Sequence, residues 1–158
     1  EDIRLPMQWS ADEFAGFSTT EPWRAVSADY TQVNVFSQTG NSTSLLEHYR
    51  TLIQLRKAHP TLQTADILLL DAGNSGIFAT LRSDSNGTYL ILTNIRDEAI
   101  SDYQLDLNAA ELAVEIVSVE TLFGEGQAQV PERSAESFNP YKPFESLNPY
   151  TTFVLQLK

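Results

Sequence analysis

The hydrophobic repeat of this sequence changes at Pro60, and the change limits the folds that are open to the chain. Between Ser44 and His59 apolar residues recur at helical spacing, whereas beyond Pro60 they alternate with a period of about two. Proline ends a helix because it lacks an amide hydrogen and clashes with the preceding turn. We therefore predict one amphipathic helix over 44–59, followed by a β-rich region.

The predicted helix carries an N-terminal capping signal and a wide apolar stripe. Ser44 is followed three residues later by Glu47, which is the spacing of a capping box. His59 lies in the last turn, where we expect it to cap the carbonyl end. The stripe consists of Leu45, Leu46, Tyr49, Leu52, Ile53 and Leu55. Because such a stripe is costly to expose, we expect helix 44–59 to pack on the β region, on a second copy as a homodimer, or on a neighbouring domain.

The residues after Pro60 show the pattern of an antiparallel β domain. Short apolar runs are separated by turn residues, and Asn86-Gly87 is a strong hairpin signal. We expect the connection from 123 to 150 to cover a sheet edge, anchored by Phe138, Tyr141 and Phe144. This pattern predicts a mainly β fold with a helical N-terminal segment, built as an antiparallel sandwich or a sheet folded on itself. The predicted strands are 67–70, 77–81, 89–93, 103–107, 114–122 and 151–157.

The first 43 residues show no sustained periodicity but are rich in aromatic side chains. Loops longer than about 15 residues are uncommon in compact domains and are usually functional. Because solvent-facing coil has no use for aromatic rings, we expect this segment to pack on something. Sugars also stack on such rings, so burial and sugar binding are alternative roles for Trp9, Trp23, Tyr141 and Tyr150.

The charge balance excludes several classes of partner. The formal net charge is −11, which argues against nucleic acids and anionic membrane surfaces, since both attract basic proteins. No apolar run reaches the roughly 18 residues of a membrane-spanning helix. The sequence contains no cysteine, which excludes thiolate metal sites and disulfides but leaves the compartment open.

Residues suited to catalysis or metal binding are few. Glu1-Asp2, Asp12-Glu13 and Asp97-Glu98 are adjacent carboxylates, and sequence neighbours seldom point into one cleft. His48 and His59 lie eleven residues apart without a flanking ligand cluster. We therefore predict no catalytic residue, no metal site and no cofactor within these residues.

Several motifs resemble one region of the α-amylase superfamily of glycoside hydrolases, in the branch of α-amylases, oligo-1,6-glucosidases and α-glucosidases. They are Arg4-Leu5-Pro6-Met7-Gln8-Trp9-Ser10, Ala15-Gly16-Phe17, Pro22-Trp23, Asn34-Val35 and the helix segment from His48 to Pro60. The resemblance implies that residues 1–60 are the last loop and helix of a (β/α)₈ barrel. It also implies that residues 61–158 form a C-terminal Greek-key β-sandwich. Leu5 and Ser10 depart from the usual Thr and Asp of the family motif.

The resemblance also implies a function. The family hydrolyses α-glucosidic bonds with retention, and its catalytic Asp and Glu residues would precede this segment, so these residues alone would be non-catalytic. Arg4 matches an arginine that hydrogen-bonds the first glucose unit in exo-acting relatives, and Trp9 would line the cleft wall. The expected partners are the rest of the barrel and an α-glucan or maltooligosaccharide. The α-amylase type is preferred, with an oligo-1,6-glucosidase or α-glucosidase parent, or a free-standing carbohydrate-binding module, as alternatives.

Overall fold

The computed structural model describes residues 4–110, 112, 115–134 and 137–158 and shows a mostly antiparallel β protein with few helices. The chain divides into two compact units between Leu55 and Arg56. The first unit contains helix α1 (Val35–Gln38) and most of helix α2 (Leu45–Ala58). The second contains the end of α2, the short helix α3 (Thr61–Thr64) and all the strands. None of the helices within the described residues is long and apolar enough to cross a bilayer.

Helix α2 confirms the predicted helix, but its cap is only half of the predicted box. The amide of Glu47 donates to Ser44 Oγ at 3.2 Å, as a capping box requires. The Glu47 carboxylate turns away from Ser44 and accepts from the Gly40 amide at 3.0 Å and from Arg50 Nη1 at 2.6 Å. The bond from Gly40, followed by that from Arg50, lowers the pKa of Glu47. This carboxylate therefore ties the helix to the loop before it.

The end of α2 differs from the prediction. Gln63 Nε2 donates to the carbonyls of Arg56 and Lys57 at 2.9 and 3.4 Å. A glutamine of α3 therefore hydrogen-bonds carbonyls that the C-terminal end of α2 leaves without an intrahelical partner. The predicted cap at His59 is wrong, because its Nδ1 lies 3.0 Å from the hydroxyl of Tyr89 on the sheet.

Five strands form one antiparallel sheet in the spatial order β1 (Leu68–Leu70), β2 (Ile77–Asp84), β3 (Gly87–Asn94), β7 (Thr152–Leu157) and β4 (Val119–Phe123). The side chains of Leu81, Leu90 and Leu155 are cross-strand neighbours on its inner face and are almost fully buried. Successive side chains of a strand point to opposite faces of the sheet, so residues two positions apart share that face.

A second set of backbone pairings lies outside the named strands. Ile100 and Leu105 form isolated antiparallel bridges with Leu147 and Tyr141, so the predicted strand at 103–107 is only a bridge. These four residues belong to the same buried cluster as the sheet leucines. The predicted anchors of the long connection are confirmed, since Phe138 and Tyr141 are buried and Phe144 packs half-buried against the core. That connection also contains the short pair β5 (Arg133–Ser134) and β6 (Ser137–Phe138).

Candidate functional site

The motif segment at Gln8 and Trp9 is anchored to the start of helix α1. The amides of Val35 and Phe36 donate to the carbonyls of Gln8 and Trp9, both at 3.0 Å. Asn34 Oδ1 accepts from the next amide of the helix. These bonds satisfy amides that a helix N-terminus leaves open. They fix the main chain of Trp9, whose side chain stays 52% exposed.

Hydrogen bonds of the Gln8 side chain also anchor the motif segment. Gln8 Nε2 donates to Asp29 Oδ1 at 2.9 Å and to the Val33 carbonyl at 2.8 Å. Asp29 Oδ1 also accepts from Ser27 Oγ at 2.5 Å. Bonding from Ser27, with a smaller contribution from Gln8, lowers the pKa of Asp29. The Gln8 amide thus joins two loop segments more than 20 residues apart.

The loop after Trp9 contains a left-handed turn. Phe14, Ala15 and Gly16 have φ angles of 54°, 59° and 64°. The Ala15 carbonyl accepts from the amides of Trp9 and Ser10 at 2.9 and 3.0 Å, and Ala15 itself is fully buried. Left-handed backbone costs roughly 1–2 kcal/mol per non-glycine residue, so these bonds and this burial must offset it. The turn closes the loop onto the backbone of the motif.

An open hollow lies beside this turn. Its volume is about 630 Å³, within the size range of sites for small molecules. Two acidic residues, two hydroxyl residues and two aromatic residues line it together with Gly16: Asp12, Glu13, Ser18, Thr19, Phe14 and Phe17. Phe17 is 50% exposed. The hollow was not predicted from the sequence, because Asp12-Glu13 reads as an adjacent carboxylate pair and the turn beside it has no sequence signature.

The two predicted substrate-binding residues belong to the same unit as the hollow. Arg4 and Trp9 are both exposed, five positions apart in the motif. Their proposed contacts with sugar stay predictions. Glu1 and Asp2, one of the three adjacent carboxylate pairs, lie outside the described residues.

One of the aromatic platform candidates is wrong. Tyr141 is only 4% exposed, and its hydroxyl donates to the Gln129 carbonyl at 2.7 Å. Burial raises the pKa of this phenol, as expected for a core tyrosine. Trp23 and Tyr150 remain available, at 88% and 70% exposure. The Arg24 guanidinium carbon lies 5.0 Å from the Trp23 ring centre, a cation–π contact.

No group of three or more His, Asp or Glu side chains within the described ranges is placed to hold a metal ion. The histidines have separate surroundings. His48 is exposed on α2, whereas His59 contacts Tyr89.

Comparison with known proteins identifies the family. Residues 1–65 match the model of the α-amylase catalytic domain. The chain is 38% identical over 98 residues to a glucan 1,6-α-glucosidase of Streptococcus pneumoniae serotype 4, covering 62% of this chain and 18% of that enzyme. It is 32% identical over 113 residues to an oligo-1,6-glucosidase of Bacillus cereus, covering 71% and 20%. The chain belongs to the α-amylase superfamily of glycoside hydrolases.

A solved structure is similar to this chain over nearly all of its length. The trehalulose synthase MutB from Pseudomonas mesoacidophila MX-45 superposes with a TM-score of 0.69 at 28% identity, covering 98% of this chain and 25% of that one. The chain spans about a fifth of the length of the curated superfamily relatives that it matches. The resemblance inferred from the motifs is thus confirmed at the level of the superfamily.

Proposed function

We propose that this chain forms the C-terminal part of a retaining α-glucan hydrolase. The observation that carries the proposal is the match of residues 1–65 to the catalytic-domain family. Retaining glycosidases use two carboxyl groups about 5–5.5 Å apart, and in our proposal both come from other parts of the enzyme. Relatives named as 1,6-glucosidases favour the oligo-1,6-glucosidase alternative over the α-amylase type.

In this proposal residues 1–60 are the last loop and helix of a (β/α)₈ barrel. Residues 61–158 are a Greek-key β-sandwich that stabilises the barrel. The bridges of Ile100 with Leu147 and of Leu105 with Tyr141 support a second layer over the main sheet. Barrel active sites lie on the loops after the strands, so the motif loop would reach the rim of the cleft.

The apolar stripe of α2 supports a contact with the rest of the barrel. Leu45, Tyr49 and Ile53 are 67%, 59% and 51% exposed, which leaves these side chains open to such a contact. Burying one large apolar side chain contributes about 1.5–3 kcal/mol. Amide exchange across 45–57 tests the contact, which predicts slow exchange in the complete enzyme and fast exchange in this chain alone. Slow exchange in a dimer of this chain would instead support the homodimer.

Arg4 has the chemistry for the first glucose unit. A guanidinium presents several donors in a planar fork, which suits neighbouring sugar hydroxyls, and Trp9 offers an exposed ring for the cleft wall. An Arg4→Lys variant of the complete enzyme keeps the charge and loses the fork. We expect kcat/KM to fall about ten- to a hundredfold, which corresponds to roughly 1.5–3 kcal/mol for charged hydrogen bonds. Arg96→Lys, at an exposed arginine of the β domain, is the control.

The decisive experiment compares the complete enzyme with this chain alone on α-1,6- and α-1,4-linked glucose disaccharides. We expect turnover by the complete enzyme, with preference for the α-1,6 linkage, and none by the chain alone. Turnover by the chain alone would refute the proposal. Equal activity of Arg4→Lys and wild type would remove Arg4 from the sugar site.

A carbohydrate-binding module is the second candidate, and the 88% exposure of Trp23 favours it. It predicts saturable binding of maltooligosaccharides to this chain, observed as a change in tryptophan fluorescence. Trp23→Ala would abolish that binding, whereas Trp9→Ala would leave it. The absence of any binding would exclude the module.

A further inference from the structure

The hollow beside the left-handed turn has the chemistry of a sugar site. The Phe17 ring forms part of its wall and is half exposed, so it offers an apolar face on which a pyranose ring can stack. The Asp12 and Glu13 carboxylates accept hydrogen bonds, and the Ser18 and Thr19 hydroxyls both donate and accept. An aromatic face beside several polar groups suits a neutral polyhydroxylated ligand.

The charge of the residues that line the hollow further limits the class of ligand that it can bind. Asp12 and Glu13 are both exposed carboxylates, and the described lining of the hollow contains no basic side chain. Like charges repel, so this lining disfavours a sugar phosphate. The hollow therefore suits an unmodified sugar.

The shape of the hollow is set by the protein itself. The Ala15 carbonyl holds the amides of Trp9 and Ser10, and the Phe17 amide donates to the Phe14 carbonyl at 3.0 Å. Ser10 Oγ donates to Asp12 Oδ2 at 2.7 Å, which fixes one of the carboxylates. A site formed before binding loses less entropy when its ligand arrives.

We infer that this hollow binds a neutral glucosyl unit of a longer substrate, in addition to the unit assigned to Arg4. The inference rests on the proposed function. It assigns Phe17 as the stacking residue and Glu13 as a hydrogen-bond acceptor for sugar hydroxyls. The hollow then distinguishes substrates by chain length, since a short substrate fills only the first site.

The test uses the complete enzyme and α-1,6-linked glucose oligomers of two and four units. Phe17→Ala should lower kcat/KM for the four-unit substrate about three- to tenfold and leave the two-unit value unchanged, as expected for one aromatic contact. Phe17→Tyr keeps the ring and should retain the wild-type values. Phe36→Ala removes an 81% exposed aromatic side chain of the same unit outside the hollow and should not change the length dependence.

Glu13→Gln provides a second variant in case Phe17→Ala does not fold. It should also lower kcat/KM for the four-unit substrate alone. Equal losses for both substrates, or no loss for either, would overturn the inference. A wild-type enzyme that hydrolyses neither oligomer would refute the proposed function instead, so the two failures are distinguishable.

Discussion

The side-chain amide of Asn94 donates a 3.0 Å hydrogen bond to the carbonyl of Leu147, 53 positions later in the chain. The same nitrogen lies 2.7 Å from the Glu98 carbonyl and 3.0 Å from that of Asn148, and Asn94 Oδ1 accepts from the Arg96 amide at 2.9 Å. Asn94 has no exposed surface. Its polar atoms are therefore satisfied entirely by backbone, and they tie the end of β3 to the loop before β7.

Replacing Asn94 should strongly destabilise the β domain. Asn94→Ala takes the side-chain donor from the Glu98 carbonyl and the acceptor from the Arg96 amide, and each group left unsatisfied away from water costs about 1–3 kcal/mol. We expect the free energy of unfolding to fall by about 3 kcal/mol, measured by urea denaturation with far-ultraviolet circular dichroism. Gln54→Ala, on the exposed surface of α2, should change it by less than about 0.5 kcal/mol. Equal effects would show that the buried network contributes no stability.

The left-handed turn predicts a difference between two glycines. A Cβ at Gly16 would lie 2.5 Å from Ser10 Oγ, whereas one at Gly40 would meet no atom within 4 Å. Both residues have positive φ, at 64° and 79°, so alanine introduces backbone strain at either position. Gly16→Ala should therefore lose about 1–3 kcal/mol more than Gly40→Ala, the usual cost of overpacking.

Tryptophan fluorescence can follow this comparison. Trp9 and Trp23 are the two tryptophans of the sequence, and both belong to the first unit. Urea unfolding of the two variants, monitored by this signal, measures the difference. Identical midpoints would contradict the close contact with Ser10.

Buried tyrosines predict a loss of stability at alkaline pH. Burial raises the pKa of Tyr103 to about 12 from its ordinary value of 10.0. The folded state holds its phenolic proton between these two values while the unfolded state releases it, so the free energy of unfolding falls as pH rises from 10 to 12. Below pH 10 this contribution is constant.

Denaturant unfolding at several pH values between 9 and 12 measures this fall. Tyr103→Phe should lose less stability over this range than the wild type, although it starts lower because Tyr103 Oη no longer donates to the Phe144 carbonyl. Tyr49→Phe, at a 59% exposed tyrosine, should follow the wild-type curve. If the free energy of unfolding of Tyr103→Phe and of the wild type fell equally with pH, Tyr103 would be excluded as the cause of the alkaline loss of stability.

Local sequence patterns correctly predicted the elements that depend on a repeated apolar spacing or on turn residues. Helical spacing before Pro60 located α2 to within one residue at each end, and Asn86-Gly87 located the β2–β3 hairpin. The family motif pointed to Arg4 and Trp9 because it depends on residue identity alone. Patterns could not assign the partners of single side chains, so His59 contacts Tyr89 rather than the helix end, and Tyr141 lies in the core.

The sequence by itself determined where the helix and the hairpin form and to which superfamily the chain belongs. Periodicity, turn residues and motifs depend only on residues that are close together in the sequence. Only the tertiary structure decided the turn at Phe14 and Ala15, since neither residue favours left-handed backbone. There, the bonds of the Ala15 carbonyl to Trp9 and Ser10 and the burial of Ala15 oppose the local preference. The hollow that we propose for a second sugar unit exists because these non-local contacts hold that turn.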